Sequence, residues 1–261
     1  VATYLDRILE HHRGLDRQRP EPLDVLVERA RALPATRGFR SALARDGAER
    51  LAVIAEVKRR SPSKGDLAVG LDPAVLARQY DAGGATCLSV LTDEAHFGGS
   101  FGDLVAARDA VSLPVLRKDF TVHELDVLDA RLGGADAVLL IAAALDDAEL
   151  TAFHALAIEI GLDVLVEIHD EAEAERAVAV GATLVGVNQR DLVTFEVDTD
   201  RAVRVAPLLG GDVVRVAESG VRGPVDAAVL RRAGYHAVLV GESLVTAGDP
   251  EAGVAALAAV T

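Results

Sequence analysis

The stretch Gly133-Gly134-Ala135-Asp136-Ala137-Val138-Leu139-Leu140-Ile141 decides how the chain is read. Paired glycines end a helix-like segment, because a residue without Cβ enters left-handed backbone at no steric cost, and five apolar residues follow at once. So short a run, bounded by turn residues, fits a strand buried on both faces, as the strands of parallel sheets are. The same punctuation returns at Gly83-Gly84-Ala85, Gly181-Ala182 and Gly234-Tyr235, each ahead of another apolar run. Working outward from these points, strands are predicted near Val53–Lys58, Cys87–Leu91, Val115–Lys118, Ala137–Ile141, Val164–Ile168, Leu184–Asn188, Val213–Ala217 and Ala237–Val240. They start roughly 20 to 35 residues apart, which leaves room for one strand, one helix and two loops per unit.

Eight such units close on themselves, whereas a doubly wound sheet usually has about five or six strands and a Gly-rich fingerprint after the first. That fingerprint is missing after Val53–Lys58. The expected fold is therefore α/β, a (β/α)8 TIM barrel forming one catalytic domain over residues 1–261, with residues 1–50 as a helical N-terminal extension. Tyr4, Leu5, Ile8 and Leu9 give the extension an apolar stripe, suited to covering one mouth of the barrel.

Composition narrows the function. A net charge of −14 over 261 residues speaks against nucleic acid or an anionic membrane as partner, since phosphate backbones are bound by basic faces. The apolar runs are too short for a membrane span of roughly 18 residues. Asp6, Arg7 and Glu10 stand where a signal peptide would need an apolar core, so the cytoplasm is the expected location. One cysteine, Cys87, excludes an intrachain disulfide and a cysteine-built metal site, and at the start of a strand it reads as packed. Of 27 basic side chains only Lys58, Lys64 and Lys118 are lysines, and two of these end strands. An amine can give up a proton where a guanidinium practically cannot.

Barrel enzymes carry their active sites at the C-terminal ends of the strands. Here those ends are polar: Glu56-Val57-Lys58, Arg117-Lys118-Asp119, Glu167-Ile168-His169, Asn188, Glu218-Ser219-Gly220 and Gly241-Glu242-Ser243. Glu56 and Lys58 are two apart, so both side chains leave one face and Val57 leaves the other. An internal ion pair closing the barrel mouth would also explain one Glu-x-Lys, but Lys118, Glu167 and Glu218 gather further charge at the same level. Such clusters shift pKa values in the way acid–base chemistry requires. Gly220 and Gly241, with a short helix beginning near Glu242-Ser243, suit a phosphate site at the last two strands. His11, His12, His123, His154 and His236 show no metal-ligand spacing supported by a convergent carboxylate and are assigned surface or structural roles, and no metal site is expected. His169 shares the face of Glu167 and is left as a supporting group.

These segments carry a resemblance. Ile54-Ala55-Glu56-Val57-Lys58-Arg59-Arg60-Ser61-Pro62-Ser63-Lys64-Gly65 resembles the strand-one signature of the indole-3-glycerol phosphate synthases. Leu116–Phe120, Leu165–His169, Gly186–Leu192, Ala217–Val221 and Val240–Leu244 resemble that family's later strand ends, in order, over essentially the whole chain. Gln189 departs from the family, which often has Asn there, and its side chain is expected to point away from that of Asn188 with little consequence. The resemblance implies ring closure, decarboxylation and dehydration of 1-(2-carboxyphenylamino)-1-deoxyribulose 5-phosphate to indole-3-glycerol phosphate, with no cofactor. It implies Lys118 as the general acid toward the ketone oxygen, and Lys58, Glu56 and Glu167 as the acids and bases of dehydration, their division open. Asn188, Glu218 and Ser219 would position substrate hydroxyls or the charged network. Ser61, Gly220, Gly241, Glu242 and Ser243 would face the phosphate, Arg190 would balance the anionic substrate, and Phe97, Phe120 and Leu192 would wall the aromatic ring. A small sugar phosphate is the implied partner of a monomer or weak homo-oligomer, with association to other tryptophan-pathway enzymes left open. The nearest rival is another phosphate-binding barrel, such as phosphoribosylanthranilate isomerase or the tryptophan synthase α subunit; the isomerase would want a cysteine ending strand one and an aspartate ending strand six, where this chain has Lys58 and Asn188. A barrel that only binds a phosphate ligand would not need both lysines beside Glu56 and Glu167.

Overall fold

A computed structural model describes residues 3–261; Val1 and Ala2, the first positions of the expected extension, lie outside the described residues. Eight parallel strands close into a barrel: β1 (Ala52–Val57), β2 (Cys87–Leu91), β3 (Val115–Lys118), β4 (Ala137–Ile141), β5 (Asp163–Ile168), β6 (Leu184–Asn188), β7 (Val214–Glu218) and β8 (Ala237–Val240). Five of the expected strands have the observed bounds; β1, β5 and β7 begin or end within a residue of expectation. The shift at β7 matters, because Glu218 becomes its last residue, paired with Asn188 on β6 and Leu239 on β8. Closure comes from β1, which pairs with β8 on one side (Ile54 with Leu239) and β2 on the other (Glu56 with Ser89).

The glycine punctuation does what its chemistry allows. Gly134 has φ 90°, and Gly84, Gly181 and Gly234 take the same left-handed turn before β2, β6 and β8. At the first of these sites the helix end is closed by Ala135 N–H donating to Ala130 O at 2.9 Å, the six-to-one bond of a helix terminated by glycine.

The extension reaches both ends of the barrel, not one. Its helices are α1 (Tyr4–Arg13), α2 (Leu23–Arg31) and α3 (Phe39–Glu49). A capping box between Thr3 and Asp6 starts α1, which buries Leu5, Ile8 and His12 at the catalytic end. The opposite end is closed by α3 and the turn before it. There the backbone N–H groups of Arg37 and Arg40 donate to Asp136 and Asp163 at 2.8 Å each, at the starts of β4 and β5. The Arg37 guanidinium caps three further carbonyls, those of Arg108, Val111 and Leu113. A single stripe on α1 gives no sign of this second role, because the contacts that define it join residues about a hundred positions apart.

Phe39 and Leu43 on α3 are fully buried in the same apolar cluster as the barrel strands. Phe39→Ala should therefore lower the unfolding free energy by about 3–5 kcal/mol, the usual cost of emptying a buried aromatic site. Urea unfolding checks this; a loss below about 1 kcal/mol would mean that α3 is dispensable to the closed end.

Candidate active site

At the C-terminal end of the barrel lies a cavity of about 720 Å³. Glu56 and Lys58 line it and Val57 does not, as strand alternation requires. Lys118, Glu167, Asn188, Glu218 and Ser219 share the cavity, and so do Ser61, Phe97, Phe120, Arg190, Leu192, Gly220, Gly241, Glu242 and Ser243. Every residue singled out from sequence as catalytic or substrate-facing is thus brought to one place.

Two ammonium–carboxylate pairs form its floor. Lys58 Nζ lies 2.5 Å from Glu56 Oε1. Lys118 Nζ donates to Glu167 Oε2 at 2.8 Å and lies 3.5 Å from Glu218 Oε2. Asn188 fixes the second pair: its Nδ2 donates to Glu167 Oε1 at 2.9 Å, while its Oδ1 accepts the Arg190 N–H at 3.0 Å. Glu56, Glu167 and Glu218 are 4%, 1% and 2% exposed, so the local field decides where protons sit. Burial works against the Lys118 ammonium, but the charges of Glu167, Glu218 and Glu56 outweigh it and raise its pKa above the lysine range. Burial would likewise raise Glu167, yet Lys118 and His169 hold it well below the carboxylate range. Glu218 goes the other way: burial first, then the neighbouring charge of Glu167, push it well above that range. Its Oε1 is buried without a hydrogen-bond partner, which a protonated carboxyl tolerates better than an anion.

Glycines make room for two of these carboxylates. A Cβ on Gly186 of β6 would stand 2.0 Å from Glu218 Oε1, and one on Gly241 would stand 2.4 Å from Glu56 Oε1. In the sequence Gly186 stands only as the first residue of a family-like segment, with no role of its own, and Gly241 is expected only at the phosphate. A bulky residue at Gly241 would displace Glu56, and at Gly220 it would strike Val197 at 2.7 Å, so substitution there tests more than ligand approach.

The rim holds the polar groups expected near an anion. The loop after β1 is a small antiparallel ribbon, Arg60–Ser61 paired with Gly65–Asp66. It presents Ser61, whose buried Oγ has no partner. Two strands round the barrel, β7 leaves through two residues of left-handed backbone, Ser219 at φ 63° and Gly220 at φ 75°. Ser243 Oγ donates to Val221 O at 3.1 Å and ties the loops after β7 and β8 together. Gly241 precedes the helix Glu242–Thr246 and supplies no side-chain cap, so the first N–H groups of that helix have no partner within it. Arg190 and Lys64 flank Glu242 at 3.8 and 4.0 Å. Gln189 has more consequence than expected: it is buried and its Nε2 donates to Ser219 O at 2.8 Å, bracing the strained turn.

Further residues entered the site unannounced. Tyr4, Leu5 and Ile8 of α1 line the cavity beside Phe195, and the Tyr4 and Phe195 rings meet edge to face at 5.2 Å. The apolar stripe on α1 was visible, but not the wall it would join. Among the histidines, His123 caps a helix by accepting the Leu125 N–H, and His236 accepts the Arg215 N–H. His12 corrects the sequence reading, because its Nε2 lies 2.9 Å from Asp93 Oδ2, a carboxylate 81 positions away. Cys87 is buried with its thiol pKa pushed up by burial, which suits packing.

Two half-buried ammonium groups against three buried carboxylates are a costly way to close a barrel, and apolar packing would be as stable or more so. The mouth defines the chain as an acid–base enzyme of the (β/α)8-barrel class. The family model for indole-3-glycerol phosphate synthase matches residues 5–257. Proteins described by that name are similar along the chain: one from Nocardioides sp. is 60% identical over 202 residues, covering 77% of this chain and 78% of its own. Others from Mycolicibacterium vanbaalenii and Streptomyces griseus are 50% and 51% identical, covering 98% of this chain and 94% and 95% of theirs. The chain belongs to the indole-3-glycerol phosphate synthase family. A solved thiamine phosphate pyrophosphorylase from Pyrococcus furiosus shares the fold, with TM-score 0.60 over 81% of this chain and 95% of its own at 16% identity.

His169 gives the site a measurable pH signature. Its Nδ1 lies 3.0 Å from Glu173 Oε2 and its Nε2 3.4 Å from Glu167 Oε1. Burial opposes the imidazolium, but the two carboxylates prevail and push its pKa up to about 9 from 6.5. A folded-state pKa above the unfolded one means stability fully present below pH 6.5 and lost as pH rises through 9. Relative to His169→Gln, the protein should be about 2–3 kcal/mol more stable in the acid part of that window, with the gap closing toward its alkaline end. Denaturant unfolding of both proteins across the window measures the gap; a gap independent of pH would show that His169 is neutral in the fold.

Proposed function

We propose that this chain performs the ring closure, decarboxylation and dehydration that convert 1-(2-carboxyphenylamino)-1-deoxyribulose 5-phosphate into indole-3-glycerol phosphate, carbon dioxide and water. The observation that carries the reading is the half-buried Lys118 ammonium, held protonated against Glu167 and Glu218 at the cavity floor. When the aryl carbon bearing the carboxylate attacks the sugar ketone, negative charge develops on the ketone oxygen. A fixed ammonium in a water-poor site stabilises that charge and delivers the proton. The new carbon–carbon bond leaves the ring cationic, and loss of carbon dioxide restores its aromaticity with the electron pair of the broken bond. Dehydration then needs an acid for the departing hydroxyl and a base for the proton given up. The Lys58–Glu56 pair is a second acid–base couple in the same cavity, separate from Lys118–Glu167.

The remaining residues position the substrate in this reading. Phe97, Phe120 and Leu192 wall the aromatic ring, with Leu5 and Ile8 of α1 in the same cavity lining. The phosphate sits at the rim between the unpartnered Ser61 hydroxyl and the backbone at Gly220, Gly241 and Glu242, with Arg190 and Lys64 near by. Local donors are needed because the net charge of −14 repels an anion. The Ser243 hydroxyl already donates to Val221 O, so its backbone is the group left for an anion. Glu218 and Asn188 set the protonation and orientation of Glu167. No helix among the described residues is long and apolar enough to cross a membrane, and the buried free thiol suits a reducing cytoplasm.

Incubating the purified protein with the carboxyphenylamino substrate should give indole fluorescence together with stoichiometric carbon dioxide; neither signal would remove the reading. Lys118→Ala should keep the barrel folded, because the His169 imidazolium and the Asn188 amide remain beside Glu167. Its kcat should fall by about 10²–10⁴-fold, the usual contribution of a general acid. A variant retaining more than about a tenth of kcat would assign the proton transfer to another group.

A further inference from the structure

Two imidazoles and a carboxylate meet where α1 crosses the loop after β2. His12 Nε2 and His96 Nδ1 each lie 2.9 Å from one oxygen, Asp93 Oδ2. The three atoms are within 4.8 Å of one another, and among the described residues no other three His, Cys, Asp or Glu side chains converge in this way. The second oxygen, Oδ1, accepts the His96 backbone N–H at 2.6 Å, so the carboxylate is held with Oδ2 toward the rings. Hydrogen bonds of this sort orient the carboxylates of metal sites. Asp93 and His12 are 3% and 7% exposed, while the His96 side chain keeps 19% of its surface and leaves a way in.

We propose that His12, Asp93 and His96 bind a divalent transition-metal ion of the zinc type, apart from the reacting groups, and that the ion ties α1 to the rim of the cavity. Two imidazole nitrogens and one carboxylate oxygen form a donor set that zinc takes with water as fourth ligand. Magnesium and calcium call for six or more oxygen ligands, which this place does not offer. A tetrahedral ion with bonds of about 2.0–2.1 Å separates its ligand atoms by about 3.4 Å. The present spacings widen by about half an ångström as the ion replaces the ring protons that bridge to Oδ2. Asp119 Oδ1 lies 3.9 Å from His12 Nε2, adding negative charge, but it also accepts the Phe120 N–H at 2.8 Å and remains an outer group.

The position gives the ion a mechanical effect. Tyr4, Leu5 and Ile8 on the same helix form part of the cavity wall, and Phe97 follows His96 in sequence. An ion joining His12 to His96 fixes both parts of that wall without entering the reaction.

The test is calorimetric titration of the chelator-treated full chain with zinc chloride, paired with cobalt substitution. One zinc per chain is expected, weakened at least about tenfold by His12→Gln and by His96→Gln and unchanged by His123→Gln. Cobalt should give the intense visible bands of a four-coordinate centre, and zinc should abolish them. Absence of stoichiometric zinc binding, or equal binding by His96→Gln, would overturn the proposal. His96 is the more exposed ring, so that variant and the cobalt spectrum of the unaltered protein decide the matter even where His12→Gln fails to fold.

Discussion

The constraint on which the structure depends is a charge count. Glu56, Glu167 and Glu218, all buried, face the half-buried Lys58 and Lys118 at the floor of the cavity, and an unpaired buried charge there would cost several kcal/mol. Pairing with the two lysines leaves one carboxylate over, since the His169 imidazolium beside Glu167 is offset by Glu173. The excess bears most on Glu218, which burial and the charge of Glu167 push above the carboxylate range, while Lys118 is raised and Glu167 lowered by their mutual pairing. The arrangement requires strands delivered in one register, since a slip of a single residue would send each charged side chain among the helices. It also requires the absence of two Cβ atoms, at Gly186 and Gly241, where the carboxylates lie.

The two ends of the barrel divide the remaining work, and the extension serves both. At the closed end Asp136 and Asp163 hold the backbone entering α3, a device of stability remote from the chemistry. At the open end α1 adds apolar side chains to a cavity whose floor is charged. A ligand with an aromatic ring at one end and a phosphate at the other finds both surfaces there, with the ammonium groups between. The strongly negative surface contributes nothing to holding such a ligand, so its anionic groups depend on donors at the rim.

Strands and inward-facing side chains were legible in the sequence because they follow local rules. The glycine pairs mark where helices end, apolar runs mark buried strands, and the spacing of two between Glu56 and Lys58 fixes a shared face. Facts that need two distant segments were not legible. Gly186 looks like a weak point in a strand until Glu218 is placed over it. Gln189 was expected to matter little, yet it braces Ser219 across the loops after β6 and β7. His12 and Asp93 are 81 positions apart, so no spacing rule connects them. The extension's second role was hidden for the same reason, as Arg37 acts on residues from Arg108 to Asp136.

Infrared titration of the carboxyl groups, comparing the unaltered protein with Glu218→Gln, reads the central claim directly. If the charge count governs the mouth, the unaltered protein shows a protonated-carboxyl C=O band that persists through neutral pH and disappears in Glu218→Gln. A band confined to the ordinary acidic range of carboxylates, or one that survives the substitution, would contradict the account.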